Sequence, residues 1–309
     1  MRVATIDIGT NAVLLLVAES QPNGVLRAVA DRATITRLGE GVDRSRTLSP
    51  HAVNRTRICL EAYAELVREF EVDRIAVVGT SAMRDAQGAE DLRASVRALF
   101  GVEVRVLSGS EEARMTFEGG LDGLDFAFST EVALFDIGGG STEVVLGRPG
   151  GSQPALSYIE SFDVGSVRLT ERHVRSDPPA QAELAALARS ASAAFARVPD
   201  LPRGSTPVGV AGTVTTLAAV AFSIAPYVGA RVHGTVLPRE RLRQVVNDLA
   251  ALDVASRRGV PGMEPNRADV IVAGGYIALA LLDHWHADDL RVSDRGLRWG
   301  LAHELGRAP

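Results

Sequence analysis

IDIGTNAVLLLV, residues Ile6 to Val17, and FDIGGGSTEVVLG, residues Phe135 to Gly147, are two copies of one plan. Each is an apolar strand ending in Asp-Ile-Gly, a bend of small residues, and a second apolar strand. The copies begin 129 positions apart, near one domain length. Two copies are too few for a solenoid, which leaves duplication: two related α/β halves, each opened by its own strand–bend–strand unit.

Outward from the first copy, Val25 to Leu38 reads as a third strand and Ser49-Pro50 opens a helix. Arg74 to Thr80 is a strand, Asp91 to Phe100 a helix, Val102 to Leu107 a strand, and Glu111 to Gly120 a helix ended by Gly-Gly. The connection Leu121 to Thr130 marks a boundary, giving domains 1–122 and 123–309. Outward from the second copy, Leu156 to Val164 is a third strand, Ser166 to His173 a helix, and an Ala-rich helix runs to about Arg197. Thr206 to Ala211, Val232 to Leu237 and Leu290 to Ser293 read as strands. Val214 to Phe222, Pro238 to Leu252, Arg267 to His284 and Gly296 to Leu305 read as helices. Alternating strands and helices imply an α/β protein.

Asp7 and Asp136 end apolar strands, where a carboxylate is costly unless a metal or several donors hold it. Gly9 in the first bend, and Gly138, Gly139 and Gly140 in the second, let the backbone turn with N–H groups exposed, the geometry of a concave anion site. Thr10, Asn11, Ser141 and Thr142 add side-chain donors. Phosphate-binding amides beside a carboxylate suit a Mg2+-bound phosphate. The plainer alternative is a hairpin whose Asp caps its own backbone, and the repetition favours phosphate. Residues 141, 143 and 145 share a strand face, so Glu143 either returns beside Asp136 or faces solvent.

Three more segments carry candidates. In Ser108-Gly109-Ser110-Glu111-Glu112 two acids begin a helix; capping accounts well for Glu111, and only one of the two faces a cleft. A glutamate aimed at a metal-bound phosphate orients and deprotonates the attacking water. Gly79-Thr80-Ser81-Ala82-Met83-Arg84 is a strand-to-helix turn, either an ordinary cap with a surface arginine or a phosphate site using Thr80, Ser81 and Arg84. Gly209 to Thr216 is a third strand–glycine–helix junction that reads as packing, except for Gly212 and Thr213 as distal ligand contacts.

The chain has 309 residues, 46% hydrophobic and 23% charged, and no lysine, so all 33 basic residues are arginine. That excludes a Walker A loop, a lysine-dependent kinase site and a lysine Schiff base. A net charge of -5 argues against broad nucleic-acid binding. The longest apolar run, Ala12 to Ala18, is too short for a bilayer, and the first residues lack a signal peptide's apolar region. No nucleic acid, no membrane and a cytoplasmic location are the expectations. One cysteine, Cys59, excludes an internal disulfide and is expected to pack as a small apolar residue.

IDIGTNA, GTSAMRDA (79–86), SGSEEAR, FDIGGGSTEVVLG, GVAGTVTTLAA (209–219), RADVIVAGG (267–275) and SDRGLRWGL (293–301), in this order, resemble the Ppx/GppA family of exopolyphosphatases and guanosine pentaphosphate phosphohydrolases across nearly the whole chain. The resemblance implies two actin-like (ribonuclease H-like) ATPase-type α/β domains with an interdomain cleft. It implies Glu112 as the base that activates water, Asp136 and Glu143 as Mg2+ ligands, and Arg84 as a ligand of the terminal phosphate. Asp7, Gly9, Thr10 and Asn11 would form the first phosphate loop, and Gly138 to Ser141 the second. Three departures stand out: Ala12 where the family usually has serine, Ser81 where it more often has arginine or histidine, and an end at residue 309, without the helical HD-type domain of the long forms.

The activity so implied is release of orthophosphate from the end of inorganic polyphosphate with Mg2+. Alternatives are a guanosine pentaphosphate 5′-phosphohydrolase, a polyphosphate:ADP phosphotransferase with a pocket near Gly212, and a catalytically inactive alarmone-binding module. Intact Glu112, Asp136 and Glu143 argue against the last. The family also implies a homodimer, for which the sequence offers no legible interface. Arg168, Arg231 and Arg267 are candidates for guiding an anionic chain.

Overall fold

The computed structural model describes residues 1–21, 25–150, 154–202 and 205–307. Two compact units result, the first from Met1–Gly119 with Leu297–Pro309 and the second from Gly120–Gly296. Among the described residues no helix is long and apolar enough to cross a membrane.

Unit 1 runs β1 (Arg2–Ile8), β2 (Ala12–Ser20), β3 (Leu26–Ile35), α1 (Val42–Ser45), α2 (Pro50–Glu69), β4 (Arg74–Gly79), α3 (Ser81–Asp85), α4 (Glu90–Phe100), β5 (Val104–Val106) and α5 (Gly109–Gly120). Its sheet has the order β3-β2-β1-β4-β5, antiparallel through the first three strands and parallel from β1 to β5. Ala4, Ile6 and Ile8 with Val13, Leu15 and Val17 face a core shared with Leu60 of α2 and Leu92 of α4. Val3, Leu16 and Ala18 alternate onto the opposite face. A sheet covered on both sides explains why these strands read as unbroken apolar runs. The Ser49 hydroxyl accepts from Ala52 N–H at 3.2 Å, and Pro50 follows, so α2 starts where the sequence predicts. Cys59 is buried in this core beside Tyr63.

Unit 2 runs β6 (Val132–Ile137), β7 (Thr142–Arg148), β8 (Ala155–Phe162), α6 (Ser166–His173), α7 (Gln181–Phe195), β9 (Thr206–Val210), α8 (Ala211–Ala221), α9 (Gly229–Val232), β10 (Val236–Pro238), α10 (Arg239–Ala250), α11 (Val254–Arg257), α12 (Ile271–His284) and β11 (Asp289–Val292). The sheet order is β10-β11-β9-β6-β7-β8. Counted from the bend, β8-β7-β6-β9 repeats β3-β2-β1-β4, and β11 stands where β5 stands in unit 1. The sequence repeat is therefore a repeat of sheet topology.

Two expectations are corrected. The last helix, α13 (Leu297–Arg307), belongs to unit 1 rather than to the second domain. Trp299 and Ala302 cover the face of Val3, Leu16 and Ala18, and Leu297 and Leu301 pack on Val78 and Leu107. Gly300 allows this closeness: a Cβ there would lie 2.0 Å from the carbonyl oxygen of Met115 in α5. Val232 to Leu237, expected as one strand, divides into the end of α9 and β10, because Gly234 turns with φ +80 between them.

Candidate active site

The two bends close alike. Gly9 N–H donates to Ala12 O, and Gly138 N–H to Ser141 O, each at 3.0 Å. The chain after the third strand then grips each bend by its carbonyls. In unit 1, Thr10 O accepts from Gly39 N–H at 2.8 Å, and Asn11 O from Thr36 and Arg37 N–H at 3.1 and 2.9 Å. In unit 2, Gly138 O accepts from Ser166 N–H at 2.9 Å, and Gly139 O from Val167 and Arg168 N–H at 2.9 and 3.1 Å. Gly140 O accepts from Arg168 Nε at 2.6 Å. In a trans peptide the N–H points opposite to the C=O. The amides of Gly139, Gly140 and Ser141 are thus turned away from α6, and among the described residues they make no backbone hydrogen bond. Buried N–H groups find partners, so this row of amides is a ready anion cradle.

Asn11 adds a second sign of a ligand in unit 1. Its side chain is 5% exposed, and neither its Oδ1 nor its Nδ2 has a hydrogen-bond partner among the described residues. A buried amide left so costs about 1–3 kcal/mol. Asp7 and Thr10 are buried beside it, each 8% exposed.

Asp136 lies directly opposite Glu143 in the β6–β7 register, and Glu143 opposite Ser161 of β8. Glu143 therefore turns inward, at 1% exposure, and its Oε1 accepts from Ser161 Oγ at 2.7 Å. Asp136 stays half-buried at the strand end. Facing residues in such a pair have Cβ atoms ~5 Å apart, and like charges there repel. A divalent cation removes that repulsion, and Mg2+ commonly takes one or two carboxylates and completes its shell with water and phosphate oxygens. The pair beside the cradle fits that ion. In unit 1 the matching positions hold Asp7 and Leu14, so only the second bend carries two acids.

The two glutamates of α5 separate cleanly. Glu111 caps its own helix: its carboxylate accepts from Ser108 N–H at 2.9 Å and Ser108 Oγ at 2.8 Å, and Arg105 donates to it at 3.1 Å. The Ser108 N–H, then its hydroxyl, then Arg105 pull the Glu111 carboxyl down to about 2. Glu112 lies ~100° further round the helix. It is 8% exposed and receives Arg84 Nη1 at 3.1 Å, a group that also donates to Leu107 O at 3.0 Å. Unit 1 thus brings Arg84 and Glu112 together. Because the Glu111 carboxyl is held below its ordinary 4.5, its contribution to stability is complete above about 4.5 and is lost as pH falls toward 2. Glu111→Gln is expected to unfold more readily than the parent at neutral pH, with the two thermal midpoints converging between pH 4.5 and 2.

The remaining candidates have internal duties. The Ser81 hydroxyl donates to Asp85 at 3.1 Å, and Thr80 N–H to Ile8 O at 3.3 Å. Thr213, 2% exposed, donates to Ile137 O at 3.0 Å, which steadies the strand entering the second bend. Gly212 makes room for Arg267: a Cβ there would lie 2.1 Å from Arg267 Nη2. Both residues expected as distal ligand contacts thus have packing duties of their own. Burial pushes the Arg267 guanidinium down, opposed by Glu264, Tyr227 and Asp136. Arg168, a candidate for guiding an anionic chain, is 5% exposed and bonded to Gly140, whereas Arg231 is exposed. Sequence reasoning missed Ser161, visible only once β8 is in register with β7. It also missed the left-handed Ala211 (φ 65) at the β9–α8 junction, where alanine gives no turn signal.

A duplicated α/β fold with a glycine-rich anion cradle in its repeat defines an actin-like ATPase-type phosphoryl-handling protein. The sequence model of the Ppx/GppA phosphatase family matches residues 16–306, and the chain belongs to that family. It is 37% identical over 319 aligned residues to exopolyphosphatase 2 of Mycobacterium tuberculosis, covering 98% of each chain. The crystal structure of the Aquifex aeolicus family member superposes with a TM-score of 0.82 at 33% identity, over 99% of this chain and 97% of that one. A guanosine-5′-triphosphate,3′-diphosphate pyrophosphatase of Pseudoalteromonas translucida is 26% identical over 98% of this chain, which spans 59% of that protein's length.

Proposed function

We propose that this chain hydrolyses the terminal phosphoanhydride of inorganic polyphosphate and releases orthophosphate. The observation that carries this is the in-register pair Asp136–Glu143 beside a bend whose carbonyls are all taken from one side. Asp136 and Glu143 would hold Mg2+, which when bound neutralises charge on the phosphate oxygens. The amides of Gly139, Gly140 and Ser141 receive phosphate oxygens. Glu112 accepts a proton from the attacking water as its oxygen bonds to the terminal phosphorus. The bridging P–O bond breaks, and its electron pair leaves with the shortened chain. Arg84 holds the Glu112 carboxylate in one orientation and supplies a guanidinium for the terminal phosphate.

Removal of the 5′-phosphate from guanosine pentaphosphate uses the same bond-breaking, and the Pseudoalteromonas relative is named for that class of substrate. The identity to a full-length exopolyphosphatase favours polyphosphate. Phosphate release from short polyphosphate, long polyphosphate and guanosine pentaphosphate, compared at equal concentration, tests the choice. The highest kcat/KM is expected on polyphosphate, and faster turnover of the guanosine substrate overturns it. In the same assay Glu143→Gln is expected to raise the Mg2+ midpoint about ten-fold, and an unchanged midpoint removes Glu143 from the metal.

A further inference from the structure

Main-chain donors from Thr36, Arg37 and Gly39 hold the bend in unit 1. In unit 2 a side chain joins the main-chain donors. Main-chain N–H groups reach Gly138 O and Gly139 O, but Gly140 O is held by a side chain, Arg168 Nε at 2.6 Å. Gly140 O and Ser141 N–H belong to one peptide plane and point in opposite directions. Whatever fixes the first aims the second. Arg168 is 5% exposed, on the first turn of α6, and its own N–H is fixed to Gly139 O at 3.1 Å. With its side chain buried and its Nε bonded to Gly140 O, Arg168 acts as a strut between α6 and the bend.

We propose that Arg168 is a positioning residue for the phosphate cradle: by holding Gly140 O it aims the Ser141 N–H at the bound anion. The inference rests on the cradle binding phosphate as described above. A mis-aimed Ser141 amide weakens an interaction made in both the ground and transition states, so the loss falls on KM rather than kcat. It also changes the environment of the bend amides whether or not turnover occurs.

The test uses the full chain with Arg168→Met, which keeps the stem and removes the donor, and Arg168→Lys, which keeps charge but offers no Nε–H. Three quantities are read: pyrophosphate affinity by calorimetry, KM and kcat on polyphosphate, and the amide resonances of Gly139, Gly140 and Ser141 in 15N-labelled protein. Arg168→Met is expected to weaken pyrophosphate binding and raise KM about ten-fold, with kcat within about two-fold. It should also displace the bend resonances, with Arg168→Lys falling between it and the parent. A folded Arg168→Met with parental affinity and resonances overturns the proposal, as does a loss of kcat at constant KM. Should Arg168→Met fail to fold, Arg168→Lys is judged by the same criteria. If the parent itself neither binds pyrophosphate nor cleaves polyphosphate, the functional proposal fails. The resonances then still report on Arg168, because displaced bend amides mean it positions them and undisplaced ones mean it does not.

Discussion

Glu112→Gln is expected to lower kcat on polyphosphate by about 10²–10⁴-fold, the span that a positioned general base contributes. The substitution is nearly isosteric, and the carboxamide oxygen can still accept from Arg84, now 3.1 Å away. Fold and substrate binding should therefore survive. Pyrophosphate affinity measured alongside separates the outcomes: a variant that binds normally and turns over slowly has lost proton transfer. A variant that retains more than a tenth of parental kcat places the base elsewhere. Glu111→Gln is the internal control, since Glu111 only caps the helix, and it should keep most of the parental rate at neutral pH.

The second large effect comes from a methyl group. Gly165 precedes α6 with extended backbone (φ -144, ψ 165) that any residue adopts, so glycine is needed there for space rather than conformation. A Cβ at this position would stand 2.4 Å from Gly139 O, 2.5 Å from Gly139 C and 2.6 Å from Gly140 C. All three are main-chain atoms and cannot rotate aside, so the bend or the start of α6 must move. Misplacement by ~1 Å can cost about 10²-fold in rate, and overpacking typically destabilises by about 1–3 kcal/mol. Gly165→Ala is thus expected to reduce kcat/KM about a hundred-fold and to lower the thermal midpoint. The comparison is Gly306→Ala, where nothing lies within 4 Å and a helix gains its preferred residue. Equal activity in the two variants would mean that the position of the second bend does not govern the reaction.

Much of this was legible in the residues. The strand–bend–strand repeat announced the two sheets, because an unbroken apolar run ending in Asp-Ile-Gly is a local pattern. The sequence left Glu143 either beside Asp136 or facing solvent, and the β6–β7 register places the two directly opposite each other. What escaped the sequence depends on distant partners. Arg168 looks like any helix-start arginine until Gly140 is placed beside it, 28 residues earlier in the chain. Ser161 looks like a solvent-facing serine until β8 falls into register. The amphipathic pattern of α13 says that it covers something apolar, but not which sheet, since Val3, Leu16 and Ala18 are no more apolar than the strands of unit 2.

The return of α13 to the first unit also imposes an order on biosynthesis. Unit 1 closes over Val3, Leu16 and Ala18 with Trp299 and Ala302, which are synthesised after the whole of unit 2. At roughly 5–20 residues per second, translation of 120–296 holds that sheet face open for roughly ten to thirty-five seconds, while the second unit already has every residue it needs. The later-made half can therefore finish folding before the first half is closed.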